Sequence, residues 1–346
     1  MKQIGFFDEE RRLDKLSELG DSLEKLNDVI DWELFRPILD KGMAKMKDKP
    51  KGPGGRPPYD YVLLFKILVL ARLFNLSDDQ TEYQINDRMS FMRFLGLGLS
   101  DRVPDAKTIW LFRDTLTKAN IIEDLFVAFN HMLENKGIIT HTGTIIDATF
   151  VDAPRQRNSR KDNQSIKEGK TPEEWLDDTP KAKHKLAQKD VDARWTIKNN
   201  ERHYGYKNHA KVDVDSKINT AYEVTSASVH DSQVFLDLID NKDTNIYADS
   251  AYTHLATQLP KGTTANISEK GYRGHPLTEK QKESNRIKSK VRCRIEHVFG
   301  YMTGSMHGIT VRSIGKTRAD FNIGMTNLVY NLCRFTILEK KRLAMG

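Results

Sequence analysis

The sequence has little cysteine and no long apolar run. Cys293 and Cys333 are the two cysteines among 346 residues, too few for a disulfide framework, so a reducing compartment is expected. The most apolar stretch, Tyr61–Phe74, is shorter than the ~20 residues that span a bilayer, and Lys66 and Arg72 interrupt it. The charged N-terminus has no apolar run of signal-peptide length. These absences predict a cytoplasmic protein with no membrane partner.

Motifs for two common kinds of ligand site are also missing. A glycine-rich phosphate loop with its lysine does not occur, so no nucleotide cofactor is predicted. Cys293 and His297 stand four apart, but no second pair with zinc-site spacing follows them. Charge, by contrast, is abundant, with 30% charged residues and a net charge of +7. A basic balance favours an acidic partner, most commonly nucleic acid, although a merely basic protein shows the same balance.

Periodicity and composition divide the chain into successive regions. We predict an N-terminal helical segment at 1–48, a Pro/Gly-rich basic linker at 49–60, a helical region at 61–137 and an α/β domain at 143–335. In the second helical region, Ser77 with Gln80 forms a capping box, and Pro104 with Asp105 begins a later helix. Its short helices and tight turns are compatible with a helix-turn-helix DNA reader and, equally, with an ordinary helical bundle.

The α/β domain shows strands and helices in mixed order. TGTIIDATFVDA predicts a strand, and a charged insertion at about 154–202 is expected to be loop with a short helix. Two strands with the turn DVDSKIN between them come next, followed by a helix at HDSQVFLDLID. A strand at NIYADSAY, a short strand at TTANIS and a long helix complete the order, which predicts a mixed sheet flanked by helices.

Three carboxylates stand where a metal site on such a sheet would need them. Asp147 lies inside an apolar strand, where an unpaired acid is costly to bury; its alternative role is to cap a turn. Asp249 follows an apolar strand and precedes a helix, so an N-cap explains it equally well. Carboxylates are the ligands that Mg²⁺ prefers, and two such ions roughly 3.5–4 Å apart can drive phosphoryl transfer on DNA.

Glu296 lies on the long helix, at the border of its apolar stripe. Val291, Ile295, Val298 and Met302 form the stripe, and Glu296 is ~100° further round than Ile295 at about 3.6 residues per turn. Arg292 is one turn earlier, so a plain salt bridge within the helix is the alternative to metal binding. Arg292 and Arg294 are also candidates for holding DNA phosphates.

Several motifs together resemble a known family. TIIDATF, HYGYKNHAKVDVD, SVHDSQVF, IYADSAY and RCRIEHVFG occur in the order found in the catalytic core of bacterial insertion-sequence transposases of the IS-five group. GRPPYDYVLLF and PDAKTIWLFRDTL resemble that family's N-terminal helical region. The resemblance runs from about Gly55 to Asn331 and is specific because the motifs match in one order.

This resemblance implies a fold, a cofactor and partners. The fold is a ribonuclease-H-like α/β core with an N-terminal all-helical domain, and its Asp-Asp-Glu triad falls on Asp147, Asp249 and Glu296, binding two Mg²⁺ or Mn²⁺. The implied partners are double-stranded DNA, as terminal inverted repeats and as target, and further copies of the chain, as a dimer or larger oligomer on DNA. The implied location is the bacterial nucleoid. Ser289 and Thr303 replace the Tyr and Lys common in relatives.

The residues predicted to bind DNA extend beyond the triad. Lys207 and His209 alternate on one strand face and are candidates to line a DNA groove, the alternative being the polar face of an edge strand. Arg312 and Lys316 are candidates to replace the missing lysine. Asp231 competes as a carboxylate ligand, but its place before a predicted helix favours an N-cap.

Activity itself leaves alternatives open. The expected enzyme is a DNA transposase that cleaves element ends and transfers the strands. A metal-dependent endonuclease of the same fold, or an inactive DNA-binding derivative, would carry the same triad pattern. An unrelated helical scaffold would not explain acids at two strand ends and a helix border in this order.

Overall fold

The computed structural model describes residues 7–46, 58–155, 159–170, 174, 180, 184, 188–198 and 200–345. Two compact units are present. The first comprises Met1–Ile138, Gly304–Gly308 and Met325–Gly346, and the second comprises Ile139–Thr303 and Ile309–Gly324. Most of the predicted linker and much of the predicted insertion lie outside the described residues. Within the described part of the chain, no helix is both long enough and apolar enough to cross a membrane.

The first unit is helical. Its N-terminal helices are α1 Asp8–Glu18, α2 Ser22–Val29, the 3₁₀ helix Trp32–Phe35 and α3 Arg36–Met46. They are followed by α4 Tyr61–Leu73, α5 Asp78–Asp87, α6 Met89–Leu95, α7 Ala106–Ala119 and α8 Ile122–Asn135. The leucines of α1 and α2 do not form one continuous buried face: Leu23 and Leu26 are buried, but Leu19 is 78% exposed. Gly20 adopts φ +87°, so the chain turns there between the two helices.

One aromatic core joins helical regions that the sequence predicted as separate. Phe35 packs against Phe65 and Phe129, with ring centroids 4.9 and 6.1 Å away. Phe129 also meets Phe335 edge-on at 6.1 Å, and Phe335 belongs to the last helix, α11 Lys316–Met345. Because this core draws on all three regions, Met325–Gly346 falls in the helical unit rather than in the predicted domain 143–335.

The helix-capping residues predicted from the sequence do cap helices in the structure. Ser77 and Gln80 form the predicted capping box at the start of α5. Asp105 caps α7 by accepting the Thr108 N–H at 2.7 Å. Gly96 ends α6 in the left-handed conformation, with φ +72°, as expected for a glycine C-cap. Helix α4 is almost entirely buried, as its all-round apolar pattern predicted.

The second unit is built on a six-stranded mixed sheet. Its strands are β1 Thr144–Asp152, β2 Arg194–Lys198, β3 Glu201–Asp213, β4 Asn219–Ser226, β5 Asn245–Ala248 and β6 Thr264–Ile267. The order is β2-β3-β1-β5-β6, and β4 also pairs with β3. Strands β1 and β5 run parallel, whereas β1 and β3 run antiparallel. The predicted mixed sheet flanked by helices is confirmed, and helix α9 Arg160–Lys167 provides the short helix expected within the insertion.

Strand β2 corrects the sequence prediction. It lies inside the region expected to be loop with a short helix, yet Arg194–Lys198 pairs antiparallel with the first part of β3. Asn200 turns the chain between the two strands with φ +64°. Gly205 on β3 faces the last residue of β1, Asp152, and the first residue of β2. Strand β3 is therefore central, not the edge strand considered as an alternative for Lys207 and His209.

Two helix predictions have different outcomes. In α10, Glu279–Thr303, Ile295, Val298 and Met302 are buried, and the helix packs against β1 and β5. The predicted helix at HDSQVFLDLID is instead a single 3₁₀ turn, Asp231–Gln233, followed by further turns. The cap of this turn is His230, whose side chain accepts the Ser232 N–H, so the N-cap role predicted for Asp231 is wrong.

Candidate active site

The pairing of β1 with β5 brings two acids together. In this parallel pair, Thr144 lies opposite Ile246 and Ile145 lies opposite Tyr247. Asp147 lies two residues beyond Ile145 on β1 and Asp249 directly follows β5, so both acids lie in the same direction beyond the paired residues of these parallel strands. The negative charge of Asp249 raises the pKa of Asp147, which agrees with this proximity. The two aspartates separated by 102 positions in the sequence therefore share one sheet edge.

Asp147 occupies a poorly solvated position for a carboxylate. Burial is the main cause that raises its pKa, opposed by the Ala148 N–H and by the charges of Arg292 and Lys198. Oδ1 accepts the Ala148 N–H at 2.8 Å. Asp147 lies within β1 rather than at its end, so the turn-capping alternative does not apply. A carboxylate kept in this position needs positive charge close by.

Asp249 has both of the features considered for it. It caps the 3₁₀ helix Ser250–Gln258, with Oδ1 accepting the Ala251 N–H at 2.7 Å. This hydrogen bond uses one carboxylate oxygen and fixes the orientation of the group, because the helix begins at the strand end. An N-cap and a metal ligand are therefore compatible roles for this residue.

Arg292 is the cation that faces this pair of acids. Its Nη2 lies 3.6 Å from Asp147 Oδ2, within ion-pair range but beyond a good hydrogen bond. Among the described residues, Arg292 Nε is buried without a hydrogen-bond partner. Glu296 follows one turn later on α10 and is exposed to solvent. The salt bridge with Glu296 considered as the alternative is not formed in the described chain, where Arg292 instead makes an ion pair with Asp147 on β1.

The carboxylates are suitable ligands for a hard cation, but they do not form a complete coordination shell. Two adjacent carboxylates with oxygen donors fit Mg²⁺ or Mn²⁺, and their mutual repulsion is relieved by positive charge between them. In the described ranges, no group of three His, Cys, Asp or Glu side chains is close enough to hold a metal ion. Glu296 follows Arg292 by one turn on α10 but is exposed, and the structure does not bring it into a group with the two aspartates.

Lys207 and His209 are corrected from groove-lining residues to buried ones. They share one face of β3, as predicted, but only 7% and 2% of these residues is exposed. Lys207 Nζ donates to Val229 O and to Asp231 Oδ1, both at 2.7 Å. Burial lowers the pKa of His209 to about 4, and its Nε2 lies 2.8 Å from Thr225 Oγ1. Their polar groups are satisfied inside the unit, so the structure gives them no DNA-facing surface.

Tyr252 is a site residue that the sequence reasoning missed. Burial, then the negative charges of Asp231, Asp147 and Asp249, raise its pKa, so its hydroxyl stays protonated beside three carboxylates. The ring stacks on Phe235 with centroids 4.5 Å apart. The sequence feature that could have indicated it is that Tyr252 follows Asp249 by three residues. Asp231, which pairs with Lys207, acts on the same hydroxyl as the two aspartates. Within the described chain it does not form a metal-binding group with them.

The remaining predicted DNA contacts are at the surface or at a turn. Arg294 Nη1 donates to Val214 O at 2.7 Å and lies 3.5 Å from Asp215, so it ties α10 to the turn between β3 and β4. Arg312 is exposed. Lys316, also exposed, pairs with Asp320 at 2.9 Å on α11. Of the predicted cations, Arg292 is the one that the structure brings to the acids.

Comparisons with known proteins agree with this architecture. Residues 139–332 match the model of the transposase DDE domain, and residues 11–115 match that of a transposase domain of otherwise undefined role, DUF772. Among solved structures, a cryo-EM structure of a piggyBac transposase synaptic complex with hairpin DNA is similar, at 12% identity and a TM-score of 0.45. That alignment covers 94% of this chain and 76% of the other.

The second unit is a mixed sheet flanked by helices. The DDE model covers more than half of the chain, and the chain belongs to the DDE transposase family. It is a DNA transposase, an enzyme that cleaves DNA and transfers strands, and its family uses divalent metal ions.

Proposed function

We propose that Asp147, Asp249 and Glu296 are the catalytic carboxylates of this transposase and hold two Mg²⁺ or Mn²⁺. The observation that supports the proposal is that Asp147 on β1 and Asp249 directly after β5 lie in the same direction beyond the paired residues of these parallel strands. Helix α10 packs against both of these strands and carries Glu296. Bound divalent ions would activate the attacking oxygen and stabilise the leaving one.

The reaction consists of two in-line displacements at phosphorus. In the first, a water oxygen bonds to phosphorus at the element end, the P–O3′ bond breaks, and the leaving oxygen takes a proton to give a free 3′-hydroxyl. In the second, that 3′-oxygen attacks a target phosphate, and the displaced 3′-oxygen becomes the new hydroxyl. Asp249, oriented by the Ala251 N–H, and Asp147, oriented by the Ala148 N–H, would hold the divalent ions that offset the negative charge in both steps.

Arg292 is proposed to hold a DNA phosphate beside the acids. Its guanidinium faces Asp147 at 3.6 Å, and its buried Nε has no hydrogen-bond partner among the described residues. A guanidinium with unused donors suits the two oxygens of a phosphate. Arg294, Arg312 and Lys316 are proposed as outer phosphate contacts, whereas Lys207 and His209 are not proposed again.

The DNA partners and the assembly are part of the same proposal. The substrate is double-stranded DNA, with terminal inverted repeats as the cleaved ends and a second duplex as target. Joining two ends requires two active sites, so we propose a homodimer or larger oligomer formed on DNA. The enzyme would act at the bacterial nucleoid, in the cytoplasm.

Cleavage of a labelled duplex carrying the sequence that flanks the coding region tests the assignment. With Mg²⁺, the parent should cut this duplex, and Asp147→Ala, Asp249→Ala and Glu296→Ala should each lose cutting by at least about a hundred-fold while DNA binding survives. Asp152→Ala is the matched control, because Asp152 is an exposed acid on the same strand. Unchanged cutting in any one triad variant would remove that residue from the set and make Asp231 the next candidate.

A further inference from the structure

The hairpin of β2 with β3 carries an exposed apolar face that the catalytic assignment does not use. Trp195 is 46% exposed and Ile197 is 67% exposed, two positions apart on the same face of β2. Neither is part of the sheet interior. Apolar side chains this exposed on an outer strand are unfavourable unless they serve a contact.

Cations and rings surround this face. The Arg155 guanidinium lies 5.6 Å from the centroid of the Trp195 ring, and Tyr204 packs against the same ring at 5.0 Å. Arg202 is exposed at the start of β3. An aromatic ring among several cations is the combination with which proteins bind unpaired nucleotides.

The hairpin is also close to the acids. Trp195 pairs with Tyr204 on β3, and Tyr204 O accepts the N–H of Ala153, six residues after Asp147 on β1. Paired residues share a face and the side alternates along each strand, so Trp195 and Asp147 lie on the same face of the sheet. Six residues of strand correspond to about 20 Å, the span of a few nucleotides.

We propose that Trp195, with Arg155, forms a stacking platform for an unpaired nucleobase of the DNA strand held at the catalytic carboxylates. The placement of this platform along the bound DNA strand rests on the proposed function, whereas stacking of a base on the Trp195 ring does not depend on it. The ring supplies a π-face, Arg155 and Arg202 supply charge for the adjacent phosphates, and Ile197 extends the apolar contact. Positive charge around the ring favours a nucleic acid strand over an apolar protein partner.

Binding of full-length protein to two DNA probes tests the platform. One probe is a blunt duplex, and the other has the same sequence with a three-nucleotide single-stranded overhang carrying 2-aminopurine. Binding is measured in EDTA, so cleavage does not enter. The parent should prefer the overhang probe and quench its fluorescence, and Trp195→Ala should weaken overhang binding by about ten-fold with little effect on the blunt duplex. Trp195→Phe should restore most of both signals.

Trp110→Ala is the matched control, because Trp110 is 49% exposed on α7 in the helical unit. Equal losses in Trp110→Ala and Trp195→Ala, or an unchanged preference in Trp195→Ala, would overturn the platform. A shift in sedimentation of DNA-free Trp195→Ala, with the base signal intact, would assign the face to a second copy instead. Because the assay needs no metal, inactive triad variants with normal quenching would separate failure of the catalytic assignment from failure of the platform.

Discussion

The Arg292 guanidinium lies 3.6 Å from the Asp147 carboxylate, so the helix that carries Glu296, the proposed third ligand, also supplies a counter-ion for Asp147. In the absence of metal, this cation offsets part of the charge that two neighbouring aspartates place at one sheet edge. A divalent ion bound there would compete with it. The same residue is thus connected with stability, metal affinity and phosphate binding.

Removing this charge should strengthen metal binding. For Arg292→Gln we expect Mn²⁺ affinity to rise about three- to ten-fold, the scale of one partly exposed ion pair, while DNA cleavage falls. Titration calorimetry with Mn²⁺ and no DNA measures the first effect. Arg286→Gln is the control, since Arg286 lies on the same helix but pairs with Glu283. Equal affinities of parent and Arg292→Gln would show that the guanidinium does not act where the metal binds.

Asp147 should lower stability at neutral pH when no metal is bound. Burial raises its pKa in the folded protein, so the folded state binds more protons than the unfolded state between the two pKa values, and stability falls as pH rises through that window. Asp147→Asn removes this effect. We expect the variant to unfold at a higher temperature at pH 7 in EDTA, by about 1 kcal/mol in free energy. Asp152→Asn should show no such gain, and a gain in that control would point to general charge repulsion.

The sequence motifs identified Asp147, Asp249 and Glu296 as candidates because each can be recognised from the residue pattern of its own strand or helix. Asp147 and Asp249 stand out against apolar neighbours, and Ile295 with Val298 fixes the buried face of α10. Lys207 and His209 could not be placed in the same way. Alternating polar residues look like a solvent face, and the partner that buries Lys207 is Asp231, 24 positions away on a segment without regular helix.

Strand β2 was missed for a similar reason. Arg194–Lys198 is short and lies in a charged region, and its alternating apolar residues, Trp195 and Ile197, are exposed rather than part of the core. The helical unit shows the same limit, because aromatic residues far apart in sequence, such as Phe35 and Phe335, both pack against Phe129. Contacts between residues far apart in the sequence determine these arrangements, and the periodicity of a single segment does not show such contacts.

Two neighbouring tyrosines on β3 should differ in their contribution to stability. Tyr206 Oη donates to Asp190, at 2.9 Å from Oδ1 and 2.8 Å from Oδ2, and Asp190 also accepts the Gly315 N–H at 3.1 Å. Tyr206→Phe leaves a buried carboxylate short of a donor and should cost about 1–3 kcal/mol. The Tyr204 hydroxyl is buried with no partner in the described chain, so Tyr204→Phe should cost almost nothing. Urea unfolding followed by far-UV circular dichroism compares the two, and equal losses would contradict the role of Asp190.

Lys66 should make the helical unit more stable as pH rises. Burial lowers its pKa from 10.5 to about 8, although Nζ donates to Asn27 Oδ1 at 2.8 Å and lies 4.7 Å from the Phe94 ring centroid. Between these pKa values the unfolded chain binds more protons, so stability increases with pH through this window. Lys66→Met should remove the slope and add about 1–2 kcal/mol at pH 7. Thermal unfolding at pH 7, 8.5 and 9.5 measures the slope (about 1.4 kcal/mol per pH unit at most), and Lys107→Met, at an exposed site, should retain it.

Gly205 should be the least replaceable glycine of the sheet. Its φ is +147°, and an added Cβ would lie 2.2 Å from Val151 O and 2.8 Å from Ala153 N. Both clashing atoms are backbone atoms of β1 or of the residue that follows it, so relief requires the strands to separate where β2 joins β3. We therefore expect Gly205→Ala to lose about 3 kcal/mol or more. Gly300→Ala is the control, because its Cβ would meet nothing within 4 Å inside α10 and should stabilise by up to about 1 kcal/mol. Since Gly205 also positions the strand that carries Trp195, its variant should lose overhang binding along with stability, whereas Trp195→Ala should lose binding alone.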